Sequence, residues 1–247
     1  MLSKTHTKYI QSLQHKKFRD ETGLFIAEGP KVVSDLLNSH NFVCKEIFAL
    51  TEWFDLNENI KASNTDTLLV EVKDFELKKI SALSTSHSVL GVFKKRKQNS
   101  GLKITNKLTL ALDTVQDPGN LGTIIRIADW FGIENIICSE GCADMYNSKV
   151  VQSTMGSLGR VNIVYTDLEG WLQHNKKIRI YAASLEGVAV KTIGKLHEGV
   201  IVIGNEAHGI SEPVMQLVNE KITIPKKGAA ESLNAAVATG IILSHLV

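Results

Sequence analysis

Cysteine and proline are both scarce in this chain. Three cysteines (Cys44, Cys138, Cys142) occur in 247 residues, an odd count without the paired spacing of a disulfide scaffold. Cys138 and Cys142 lack a second pair of ligands, so a zinc site is not expected, nor any other metal. The four prolines fit an ordinary globular composition, 43% hydrophobic and 22% charged, with ample material for a core. No run of about 18 consecutive apolar residues occurs, which argues against a membrane span. The first 20 residues, MLSKTHTKYIQSLQHKKFRD, have no apolar segment of the signal-peptide kind and only one Arg, which argues against a mitochondrial transit peptide. These absences together point to a reducing cytoplasm. A net charge of +2 does not by itself announce a nucleic-acid binder.

The distribution of charge says more than its sum. Residues 1–97 carry 15 basic and 12 acidic side chains, a net +3, and residues 98–247 carry 13 and 14, a net −1. Lys4, Lys8, Lys16, Lys17 and Arg19 cluster near the start, and Lys94, Lys95, Arg96 and Lys97 form an unbroken run. Such positive faces attract phosphate, though a solvated helix face and a polar linker read the same way. The basic, polar stretch 94–107, KKRKQNSGLKITNK, reads as a linker between two α/β segments. Before it, the patterning predicts helices at 4–16, 31–38 and 74–82 and strands at 24–28, 44–50, 67–72 and 89–93. After it, strands are expected at 108–113, 135–139, 161–165, 178–183, 199–204 and 221–225. Helices fit at 121–131, 147–158, 167–175, 212–219 and 232–246. Apolar strands alternating with helices argue for a parallel sheet covered on both faces.

Three loops of the second segment carry chemistry. In DTVQDPGNLGTIIR (113–126) an apolar strand runs through Pro118 and Gly119-Asn120-Leu121-Gly122 into a helix. The dinucleotide fingerprint needs a third glycine, and Glu140 matches its acidic partner only nominally. Leu121, Ile124, Ile125 and Ala128 recur at the helical period, so Arg126 falls off the buried seam. There a guanidinium offers a planar, charged fork suited to phosphate, or is an ordinary surface arginine. The second loop, VIVIGNEAHGIS (200–211), ends a buried strand in Gly204-Asn205-Glu206, where open α/β sheets place ligands and where Gly204 permits close backbone approach. His208 has no nucleophile paired with it in sequence. In the third, KITIPKKGAAESLNAAVATGIIL (221–243), Ser232 fits a helix N-cap.

Taken in order and spacing, these loops resemble the three motifs of the SpoU (TrmH-type) RNA ribose methyltransferases of the SPOUT class. The segment YNSKVVQSTMGSLGRV (146–161) is similar to that family's second βα unit, and KKFRDETGLFIAEGPKVV (16–33) to its small L30e-like substrate-binding domain. The resemblance implies an α/β chain with two domains: residues 1–97, an L30e-like RNA-binding domain, and residues 98–247, a methyltransferase domain. The latter is a parallel sheet with a trefoil knot within about 199–247. It implies methyl transfer from S-adenosylmethionine to a ribose 2′-hydroxyl of RNA, ribosomal rather than transfer RNA, by a homodimer formed through the C-terminal domain. By motif position, Arg126 leads the catalytic residues, with Asn120, Glu206, Ser232 and Asn234. Gly204, Ile224 and Leu233 would contact the cofactor. The RNA backbone would be held by Lys4, Lys8, Lys16, Lys17, Arg19, Lys94, Lys95, Arg96 and Lys97. The chain departs from common members at Gln152 and Ser153, where Arg and Ala are frequent, and at Ala207 and His208, where Gly-Gln is usual. Leu243, Leu246 and Val247 are expected to need cover from a second subunit. A non-catalytic RNA-binding protein and a nicotinamide oxidoreductase are the competing readings.

Overall fold

The computed structural model describes residues 2–58, 60, 67–83, 85, 87–97 and 102–247. Part of the expected linker, residues 98–101, lies outside the described residues. The chain forms two compact units: residues 1–97 with Tyr146–Gly159, and residues 98–145 with Arg160–Val247.

The first unit opens with α1 (Lys4–Ser12), whose first turn is capped by the Ser3 hydroxyl accepting from His6 N. The pattern predicts one helix over 4–16, but the chain breaks at Leu13–His15 and restarts as α2 (Lys16–Thr22), which ends on Gly23 at φ 67°. Leu13 is fully buried, so the break turns its side chain into the core and frees backbone carbonyls. Arg19 satisfies them: one guanidinium nitrogen donates to Leu13 O (3.1 Å) and Gln14 O (2.8 Å). Arg19 is only 2% exposed, which corrects its expected role as a contact to RNA. Its donors are turned inward.

After β1 (Leu24–Glu28) come α3 (Pro30–Asn38), β2 (Cys44–Ala49), the short α4 (Thr51–Asp55), β3 (Leu68–Glu71), α5 (Asp74–Ile80) and β4 (Val89–Lys94). The sheet runs β1-β4-β2-β3, antiparallel except between β2 and β3. Tyr146–Gly159, which includes α7 (Ser148–Ser153), joins this unit through aromatic packing. The Tyr146 ring lies 4.8 Å from Phe25, and its hydroxyl accepts from Arg96 N at 3.0 Å.

The second unit is a wholly parallel six-stranded sheet. Its strands are β5 (Leu108–Leu112), β6 (Asn135–Ser139), β7 (Asn162–Thr166), β8 (Ile180–Ala189), β9 (Gly199–Ile203) and β10 (Glu220–Thr223), in the order β10-β8-β9-β5-β6-β7. The central β5 and β9 are buried at every residue, the continuous apolar run of a sheet covered on both faces. The helices are α6 (Pro118–Trp130), α8 (Leu168–His174), α9 (Glu212–Met215) and α10 (Ala235–Leu246). Strand β8 runs past its expected end at 183 because β10 pairs with its distal half, Ile222 opposite Val188. Gly187, at φ 146°, permits the accompanying register shift; a Cβ there would stand 2.3 Å from Lys221 O.

Leu243 and Leu246 are fully buried within the chain, which corrects the expectation that they need outside cover. Helix α10 packs against α6 and the short helical turn Val190–Thr192, and Leu246 O accepts from Leu196 N. Among the described residues no helix is long and apolar enough to cross a membrane.

The buried arginine generates a stability prediction. Arg19→Ala strands two carbonyls and costs about 1–3 kcal/mol in denaturant unfolding. A variant as stable as the native chain would contradict the inward role.

Candidate active site

Because the second sheet is parallel, the loops after β5, β9 and β10 leave from one edge. The first starts with Asp113, only 4% exposed, whose carboxylate accepts from Ser211 N at 2.7 Å and so ties the first loop to the second. Thr114 takes a left-handed φ of 59°; its N–H donates to Ser139 Oγ and its carbonyl accepts from Asn205 Nδ2, both at 2.8 Å. Asp117 then caps α6 by accepting from Asn120 N, and Pro118 occupies the first turn, where its missing N–H costs nothing. The helix therefore starts before the expected residue 121.

Along α6 the predicted seam is observed: Leu121, Ile124, Ile125 and Ala128 are fully buried. Thr123, Arg126 and Trp130 form an exposed stripe on another side. Among the described residues Arg126 makes no hydrogen bond or ion pair, so its donor fork is open to a ligand.

Asn120 links all three loops. Its Nδ2 donates to Glu206 Oε1 at 2.5 Å, and its Oδ1 accepts from Asn234 Nδ2 at 2.7 Å. The Asn234 Oδ1 accepts from Ala236 N and Val237 N, so Asn234 caps α10. This corrects Ser232 as the cap: the helix begins three residues later than the pattern predicts. Ser232 is left exposed, facing a cleft.

That cleft has a volume of about 1090 Å³ and is lined by Gly204, Glu206, Ile224, Ser232 and Leu233 among others, five of the eight motif residues singled out. Asn120, Arg126 and Asn234 are not in its lining. Asn120 reaches it through Glu206, and Arg126 stands one and a half turns further along the same helix. Gly204 is needed for a reason other than ligand approach. Asn205 and Gly209 pair backbone to backbone at 2.9 Å, and a Cβ on Gly204 would lie 2.3 Å from the Gly209 carbonyl carbon. Residues 225–233 make no hydrogen bond among the described residues, which leaves their backbone donors and acceptors free for a ligand along this wall. His208 lines the cleft, and its backbone N–H donates to Asn205 Oδ1 at 3.1 Å.

Three features escaped the sequence reading. Asn205 holds its own loop from within, accepting from Ala207 N and His208 N. Asp113 joins loops one and two, and Leu185 and Glu186 on the extension of β8 form a wall of the cleft. The signal for Asn205 was its place between Gly204 and Glu206; the other two depend on contacts distant in sequence.

Of the basic residues, Lys4, Lys8, Lys16, Lys17, Lys94 and Lys97 are exposed in the first unit. Lys95 is paired with Asp20 at 2.6 Å, and the half-buried Arg96 lies over Phe42 at 4.8 Å and donates to Leu158 O. Burial lowers the Arg96 pKa from its ordinary value.

Comparison with known proteins places these features in context. Residues 107–244 match the SpoU rRNA Methylase family, and residues 4–91 match the MRM3-like substrate binding domain. The chain is 29% identical to the 23S rRNA (guanosine(2553)-2′-O)-methyltransferase RlmP of Bacillus subtilis, over 96% of this chain and 93% of that protein. It is 26% identical to the mitochondrial rRNA methyltransferase 3 of Homo sapiens, over 94% of this chain and 69% of that protein. The crystal structure of an AdoMet-bound rRNA methyltransferase from Sinorhizobium meliloti superposes with a TM-score of 0.88 at 32% identity, covering 99% of this chain and 95% of that one.

The amide bridge can be separated from the helix cap. Asn234→Ala removes both and costs about 1 kcal/mol of stability from the cap alone. Asn234→Ser keeps a capping oxygen but cannot reach Asn120 as a donor amide does. Equal denaturation midpoints for the Ser variant and the native chain, with altered ligand binding only in the former, are the expected result.

Proposed function

This chain belongs to the SpoU rRNA Methylase family, and from that membership we propose that it is an S-adenosylmethionine-dependent 2′-O-ribose methyltransferase of ribosomal RNA. The observation that carries the proposal is the convergence of the three motif loops on one cleft, joined by the Asn120 amide to Glu206 and Asn234. Ribosomal RNA is preferred to transfer RNA because relatives aligned over nearly the whole chain carry ribosomal names.

The cofactor fits the second unit. Ile224 and Leu233 supply apolar wall, Leu233 being 46% exposed, and the unbonded backbone of 225–233 supplies donors and acceptors for a heterocycle. Gly204 keeps the adjoining loop closed on itself. When bound, S-adenosylmethionine supplies a methyl group on an electrophilic sulfonium. Arginine stays protonated in water, so Arg126 does not act as a simple base. In our reading it would grip the phosphate beside the target ribose and polarise the 2′-hydroxyl, with that phosphate placed to take the hydroxyl proton. Asn120, Glu206, Ser232 and Asn234 hold the ribose in line, and positioning supplies much of the acceleration.

Residues 1–97 act as the L30e-like RNA-binding domain, a reading supported by the match of residues 4–91 to a substrate binding domain. Residues 98–247 form the methyltransferase domain, with the trefoil knot within about 199–247. Three free cysteines suit a cytoplasmic setting. The C-terminal domain pairs as a homodimer. Support comes from Trp130, 85% exposed on α6, and Val237, 51% exposed on α10, on helices that pack together. An exposed apolar surface of this kind ordinarily marks an interface.

Two variants test the site together. Gly204→Trp loses cofactor binding by calorimetry, whereas Arg126→Lys keeps it and loses transfer to ribosomal RNA by at least about a hundredfold, because a point charge does not reproduce the fork. An active Lys variant would show that charge alone suffices. For assembly, sedimentation equilibrium should find the full chain dimeric and Trp130→Glu largely monomeric; a monomeric native chain overturns the pairing.

A further inference from the structure

We infer that the first turn of α2 is a base-stacking platform for single-stranded RNA, with the Phe18 ring as its surface and Lys16 and Lys17 as its phosphate contacts. This rests on the RNA-substrate reading above and names the part of the first unit that grips unpaired nucleotides.

Phe18 is 40% exposed, on a segment where His15, Lys16 and Lys17 are exposed as well. The His15 and Phe18 rings meet edge-on, with centroids 6.4 Å apart and planes at 61°. An edge-on pair occupies at most one face of one ring, so faces remain for a planar base. Every base has such a face, and single-strand binders combine aromatic platforms with cations that follow the backbone.

The surroundings support that occupant. Lys16 has no ion pair among the described residues, and Lys17 touches Glu21 only at 3.9 Å while remaining 77% exposed. The other acid on α2, Asp20, is taken by Lys95, whose hydrogen bond holds its carboxyl below the ordinary range. Lys4 and Lys8, one turn apart, are both exposed on α1. An acidic peptide would use the lysines but not the ring; a nucleotide chain uses both.

The platform is also held firmly. Arg19, buried directly after Phe18, ties the turn through Leu13 O and Gln14 O, and Gly23 at the far end of α2 accepts from Lys95 N at 2.8 Å. A prearranged ring loses little freedom when a base stacks on it.

The test uses the full-length chain and short single-stranded RNA oligomers carrying 2-aminopurine, with affinity read by anisotropy and stacking by quenching. Phe18→Ala is expected to bind about tenfold more weakly, Phe18→Leu equally weakly, and Phe18→Trp like the native chain. Lys16→Gln with Lys17→Gln should flatten the logarithmic salt slope by about 1.4, while the Phe18 variants leave it unchanged. Cofactor affinity by calorimetry should be the same throughout. Native-like binding and quenching in Phe18→Leu overturns the platform. If the native chain methylates RNA but binds no single strand, the platform alone fails; if it modifies no RNA, the functional reading fails with it.

Discussion

One side-chain amide connects the parts of this molecule on which its chemistry depends. Asn120 donates through nitrogen to Glu206 and accepts through oxygen from Asn234, so only one orientation of the amide satisfies both partners. Asn120 lies in the first turn of α6 after β5, Glu206 and Asn234 lie after β9 and β10, and the bonds join positions separated by 86 and 114 residues. Asn234 also caps α10 through its oxygen, so the last helix begins where the bridge requires it to. The site geometry and the placement of the terminal helix are thus the same constraint.

The parallel sheet explains why such a bridge is possible. Strands running the same way deliver their following loops to one edge, and an apolar core beneath them holds those loops at a constant spacing. Asp113 and Asn205 provide the second layer of support, each binding backbone of another loop or of its own. The third loop is the exception. Residues 225–233 have no hydrogen bonds to protein among the described residues and are exposed throughout, so their backbone groups face solvent and are accessible to a ligand.

Two arginines show how differently the same side chain is used. Arg126 stands exposed on a helix with its donors open, whereas Arg19 is buried and supplies its donors to carbonyls released by a broken helix. In the sequence both appear as basic residues near other motif positions. Periodicity distinguishes Arg126, because the apolar seam of α6 is continuous on either side of it. It does not distinguish Arg19, because the helix that would define its face is interrupted at Leu13–His15.

Local pattern determined much of this protein by itself. Apolar runs located the strands β1, β6 and β9 to within a residue, the 3.6-residue period identified the buried face of α6, and the resemblance of the three loops to the SpoU motifs pointed to five residues that line the cleft. These succeed because burial in a parallel sheet and along a helix seam imposes a period that the chain must carry in order. Tertiary structure alone decided the length of β8, which depends on β10 as its neighbour, and the burial of Leu243 and Leu246, which depends on α6. It alone decided that Asn234 rather than Ser232 caps α10, and that Tyr146–Gly159 packs with the first unit. Each of these is settled by a partner distant in sequence, and no period within a single segment encodes the identity of that partner.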